Sequence, residues 1–167
     1  MKKILLGGGI GVAIIAILII FVATQSSCLG CGGISAIDAI SNGLSSVGPN
    51  HLRTQEFSLN PGTTMQSDQF DKIGFYKQSI VFAIATTFPK DFAETGIEND
   101  QSFFKYTKNS PIKVRAKIYC EQNGTSLQQT LKLTESKYQN AQGIENITPL
   151  CGEKEYQPCC IVIIERA

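Results

Sequence analysis

Charge is scarce in this 167-residue chain: Asp, Glu, Lys and Arg make up 17% of it, against about 25% in an ordinary soluble protein. The shortage is local, because no charged residue occurs between Lys3 and Asp38. With 15 Lys and Arg against 14 Asp and Glu the net charge is +1. That balance gives no hint of nucleic-acid binding, and no nucleic-acid partner is expected. Histidine is nearly missing as well. His51 is the single one, so any triad chemistry would have to run through it, and no Gly-x-Ser-x-Gly accompanies it. Six prolines and 43% apolar residues exclude a collagen-like or disordered chain. The acids Asp68, Asp71, Glu94, Glu98 and Asp100 are scattered in the manner of a solvated surface. Neither a nucleophile–base pair nor a metal-ligand set stands out, so the chain is read as a non-enzyme without catalytic residue, metal or cofactor.

The uncharged stretch opens with ILLGGGIGVAIIAILIIFVA, residues 4–23. Twenty apolar residues of helix cross a hydrocarbon core of about 30 Å. Thirteen of them are Ile, Leu, Val or Phe, which together favour insertion by roughly 5 kcal/mol. Lys2 and Lys3 precede the run, and the next basic side chain is Arg53. The positive-inside rule then leaves residues 1–3 in the cytoplasm and sends residues 24–167 across the bilayer as a single-pass signal-anchor protein. A cleaved secretory signal has a shorter apolar core and small residues at its cleavage site, whereas this run ends in Ala23-Thr24-Gln25. Lipidation at Cys28 is the other competitor, and Gln25-Ser26-Ser27 lacks the aliphatic residue expected before such a cysteine.

Gly7 and Gly11 fall on one face of that run with GxxxG spacing. Such a face lets a second helix approach closely, so self-association or a protein partner is expected there in addition to the lipid bilayer. Residues 24–50 form a Gly/Ser-rich linker and a short amphipathic helix. Ile37, Ile40, Leu44 and Val47 keep a helical period, Ser35 and Asp38 resemble a capping box, and Gly48-Pro49 stops the run. The helix is expected to lie on the outer membrane surface or to pack on protein, and its apolar stripe to be available for a partner.

From residue 51 to 167 the pattern is β-rich, and a small antiparallel sandwich or an α+β sheet is expected. Residues Ile112–Cys120 alternate with apolar side chains at every even position. Asn123-Gly124 follows, a strong hairpin signal. A two-residue turn there sets Cys120 opposite Leu127, Ala116 opposite Leu131 and Val114 opposite Leu133. The rival reading of the same stretch is a helix from Ser126 to about Asn140. Further strands are expected at Glu56–Leu59 and Ser79–Thr87. Cys159–Glu165, apolar on both faces, reads as a central strand, and Phe88–Glu94 as the start of one short helix. Lys113, Arg115 and Lys117 make a basic stripe. The hairpin sets Lys132 opposite Arg115, and the stripe is either a solvated face that protects an edge or a site for an acidic partner or polyanion.

All six cysteines lie beyond the apolar run: Cys28, Cys31, Cys120, Cys151, Cys159 and Cys160. An even number outside the cytoplasm points to disulfides. Cys120 is expected to bond one of the vicinal pair and Cys151 the other. Cys28-Leu29-Gly30-Cys31 is a CxxC and reads as a local or intermolecular disulfide. A thiol–disulfide exchange site is the alternative, without the strand-then-helix context usual for one. Asn123-Gly124-Thr125 and Asn146-Ile147-Thr148 fit the glycosylation pattern.

A hydrophobic N-terminal helix ahead of a disulfide-bearing β domain is similar in layout to type IV pilin-like proteins, which implies a filament subunit. The chain departs from that pattern: no basic leader ends at a Gly followed by Glu, and Gly30 to Gly33 interrupt the long helix. The functional expectation is a surface protein with a structural or binding role in a membrane or surface assembly. A membrane-tethered oxidoreductase using Cys28 and Cys31, or a pilin-like subunit, is the alternative.

Overall fold

A computed structural model describes residues 34–47, 52–70, 79–134, 136–152 and 158–167. These belong to one compact unit, Ile34–Ala167. The apolar run, Gly7, Gly11, Cys28, Cys31 and His51 lie outside the described residues. Among the described residues no helix is long and apolar enough to cross a membrane.

The unit is a small β-rich α+β domain with two disulfides. Its elements in chain order are α1 (Ala36–Ser46), β1 (Leu52–Leu59), β2 (Thr64–Gln66), β3 (Ser79–Ile84), β4 (Ala93–Glu98) and β5 (Gln101–Tyr106). Then come β6 (Ile112–Glu121), α2 (Gly124–Thr134), α3 (Ile147–Cys151) and β7 (Cys159–Arg166). The larger sheet has the order β1-β6-β7-β3 and the smaller β2-β5-β4. β1 and β7 run antiparallel to β6, while β3 runs parallel to β7.

Strand β7 explains the layering. Its sequence CCIVIIER is buried from Cys159 through Glu165, and period-2 geometry sends alternate side chains to opposite faces. Cys160, Val162 and Ile164 enter one core together with Val114, Ala116 and Ile118 of β6, α1 and the smaller sheet. Cys159, Ile161 and Ile163 enter a second core with Tyr119, Leu127 and Leu131 of α2, and Ile147 of α3. The larger sheet is thus covered on both sides, which is why its central strand is apolar from Cys159 to Ile164.

The free edge of β3 is covered in a specific way. The Phe82 N–H donates to Ser102 Oγ at 2.9 Å, and Thr95 Oγ1 donates to the Phe82 carbonyl at 3.0 Å. Farther along, Ile84 and Gln142 exchange backbone hydrogen bonds of 2.8 and 2.9 Å. These bonds satisfy backbone groups that would otherwise template association.

Three expectations are corrected. First, the hairpin after β6 does not form. Residues 124–134 are helix α2, and the Asn-Gly signal serves as a helix start. Asn123 Oδ1 accepts the Ser126 N–H at 2.8 Å, a capping bond. Gly124 is buried where a Cβ would come within 2.8 Å of the Gly152 carbonyl and 3.0 Å of Cys151 Cβ. Second, Phe88–Glu94 is not helical. It forms turns that lead into β4, and β4 pairs with β5 through the two-residue turn Asn99-Asp100. Both residues have positive φ, 50° and 60°, as a type I′ turn demands.

Third, the main apolar face of α1 is not free for a partner, because the helix packs on the domain. Ser35 caps the helix, its Oγ accepting the Asp38 N–H at 3.1 Å. Ala36, Ala39, Ile40, Gly43 and Leu44 are buried, while Ile37 is exposed. The small residues decide the distance of approach: a Cβ on Gly43 would run into Ile118 Cδ1.

Candidate functional site

Cys120 is bonded to Cys160, and Cys151 to Cys159. The vicinal pair lies in an extended strand, so its two sulfurs leave on opposite faces and cannot reach each other. Cys160 stands directly opposite Cys120 in the β6/β7 register. That bridge ties two neighbouring strands within the first core. Cys159 faces the second core, where α3 presents Cys151 at its last residue. The two bridges clamp both layers onto one strand. Cys151, Cys159 and Cys160 are fully buried and Cys120 is half-buried; all four are held in the two bridges, so they present no free thiol for exchange.

The basic stripe of β6 is met by carboxylates. Glu56, Arg115 and Glu165 stand side by side across β1, β6 and β7. Arg115 Nε and Nη2 donate to Glu56 Oε1 at 3.0 and 2.8 Å, and Nη1 lies 3.6 Å from Glu165 Oε1. The other oxygen of Glu165, which is buried, accepts the Tyr138 hydroxyl at 2.7 Å. The hydrogen bonds and charge of Glu56, with a smaller contribution from Glu165, hold the Arg115 guanidinium above its ordinary value. Two negative charges beside Arg115 remove the middle of the stripe as a polyanion site. Lys132, set opposite Arg115 by the hairpin reading, is instead an exposed residue of α2. The partners Glu56 and Tyr138 were not singled out from sequence. An acid in an edge strand of unknown register carries no signal of its partner.

An open depression of about 620 Å³ lies between β4 and the segment after β5, lined by Lys90, Asp91, Glu94, Thr107, Lys108 and Gln142. Its polar side chains are exposed or half-buried. Thr107 Oγ1 donates to the Asp91 carbonyl at 2.9 Å, and Lys108 Nζ sits 5.0 Å from the centre of the Phe92 ring. Charges of both signs alternate around it, with no buried polar group aimed inward. Glu94, Glu98 and Asp100 lie exposed on β4 and its turn, and Asp68 is exposed in a short 3-10 helix. Among the described residues no three His, Cys, Asp or Glu side chains come together as a metal site.

The two sequons differ in setting. Asn123 is half-buried at the β6–α2 junction with its carbonyl oxygen engaged in the cap. Asn146 ends a 3-10 turn before α3, and its side chain makes no capping bond there. Thr148 of the second sequon accepts from Gln128 Nε2 at 2.8 Å.

Comparison with protein-family models, with curated proteins and with solved structures finds no match to this chain.

Proposed function

We propose that this chain is a single-pass, membrane-anchored surface protein whose domain faces away from the cytoplasm and serves as a structural or binding subunit of a membrane or surface assembly. The observation that carries the reading is the pair of buried disulfides on the two faces of β7. Bonds of this kind form and persist outside the reducing cytosol. The uncharged run at residues 4–23, preceded by Lys2 and Lys3, supplies the export signal and the anchor. Self-association through the Gly7/Gly11 face belongs to the same proposal.

Carbonate-washed membranes from cells that make the protein test it. The full-length chain is expected to stay with the membrane, and unreduced peptides to join Cys120 to Cys160 and Cys151 to Cys159. A soluble chain shortened before residue 34, or four free thiols in the domain, overturns the reading.

A further inference from the structure

The uncharged stretch of the sequence does not stop at Ala23. It continues through residue 37, and the first charge after Lys3 is Asp38. In the structure Asp38 is taken up by the cap of α1, where Ser35 Oγ donates to Asp38 Oδ2 at 2.6 Å. Two isoleucines flank that cap in the chain and face outward: Ile34 is 55% exposed and Ile37 38%. The remaining large apolar side chains of α1, Ile40 and Leu44, are in the core. The first turn of α1 therefore carries apolar surface that the domain itself leaves uncovered.

Single exposed isoleucines need no explanation on an ordinary surface. These two differ in where they stand. Only residues 24–33 separate the apolar run from Ile34, a length of chain that reaches at most about 35 Å. An anchor at residues 4–23 keeps this turn near the lipid–water boundary, and tethering converts a weak contact into an intramolecular one at high effective concentration. No Lys or Arg lies between residues 4 and 52, so the contact would be apolar and independent of anionic headgroups.

We infer that the first turn of α1, through Ile34 and Ile37, rests on the bilayer surface and fixes how the domain stands on the membrane. The inference depends on the anchoring proposed above, and its partner is the lipid interface.

The chain contains no tryptophan, so Ile34→Trp and Ile37→Trp each introduce a single fluorescent reporter. The full chain is reconstituted into phosphatidylcholine vesicles with and without bromine on the acyl chains. Both reporters are expected to emit at short wavelength and to lose emission to brominated lipid. Leu133→Trp, at the 86% exposed position of α2, is expected to emit as in water and to be unaffected. Because Trp itself favours interfaces, an Ile34→Ser, Ile37→Ser chain gives a second readout: vesicles should slow amide exchange at residues 36–39 of the natural sequence and not of this variant. If the chain floats with vesicles but its reporters are as wet as Leu133→Trp, the contact is overturned and the anchor stands. Short-wavelength emission without quenching by bromine means a protein covers the turn, which overturns the lipid assignment. Failure to float overturns both.

Discussion

Cys159 and Cys160 are adjacent in the chain and belong to different cores: one is bonded to α3 on one face of the sheet, the other to β6 on the opposite face. The arrangement follows from extended geometry alone. It makes the two bridges independent, since neither sulfur of one pair can reach the other through the strand. Replacing Cys151 and Cys159 by Ala should therefore leave Cys120–Cys160 intact in an unreduced peptide map, and the converse pair of replacements should leave Cys151–Cys159. The sequence separations are 40 and 8, which in the chain-entropy account correspond to about 4 and about 2.5 kcal/mol. Urea unfolding should show the larger loss for the Cys120/Cys160 variant.

The helix after β6 makes a sharp contrast between two leucines. Leu131 is buried in the second core, while Leu133 is 86% exposed. On a strand both would face the same way. Leu131→Ala should cost about 2–5 kcal/mol, whereas Leu133→Ala should stay within about 0.5 kcal/mol. Equal losses at both positions in thermal or urea melting would contradict the helix.

Gly124 tests the same junction from the backbone. A methyl group there meets the Gly152 carbonyl at 2.8 Å and Cys151 Cβ at 3.0 Å. Gly124→Ala should destabilise the domain by about 1–3 kcal/mol through overpacking, despite the better helix propensity of Ala. An Ala variant as stable as the natural chain in urea would show that α2 and α3 do not pack at this distance.

How much of this was legible depended on which signal each segment carried. β6 was readable because its alternation is unbroken over nine residues, and β7 because an apolar run flanked by turns has few other homes. Residues 124–134 were ambiguous for a physical reason. Leu127 and Leu131 are spaced by four, which fits one face of a helix as well as one face of a strand, and Asn-Gly can begin either element. Only tertiary packing, with Gly124 against α3, decides it. β4 and β5 were overlooked because Asn99-Asp100 is a weaker turn signal than Asn-Gly, and because Ala93–Glu98, half-buried to exposed, has little apolar periodicity. That Cys120 takes one of the vicinal pair and Cys151 the other could be argued from the sequence, but which takes which needed the β6/β7 register. The Glu56–Arg115–Glu165 ladder could not be argued from it, since it needs the register of three strands.

Helix α1 offers a further check on the boundary of the domain. At Gly43 it lies close against Ile118 and Gln55 of the sheet, where a Cβ would not fit. Gly43→Val should push α1 off β6 and expose Ile40 and Leu44, with faster amide exchange along residues 36–46 and a loss of roughly 1–3 kcal/mol in urea unfolding. Unchanged exchange would mean that α1 contributes nothing to the core.

The most direct test of the whole account is the orientation of the lysines. Intact cells or spheroplasts making the protein are treated with a membrane-impermeant amine reagent, and the purified chain is mapped by mass spectrometry. The domain lysines Lys105, Lys113 and Lys132, which are exposed, should be labelled, while Lys2 and Lys3 should react only after the membrane is opened. Labelling of Lys2 and Lys3 in intact cells, or protection of the domain lysines until lysis, would contradict an anchored domain that faces away from the cytoplasm.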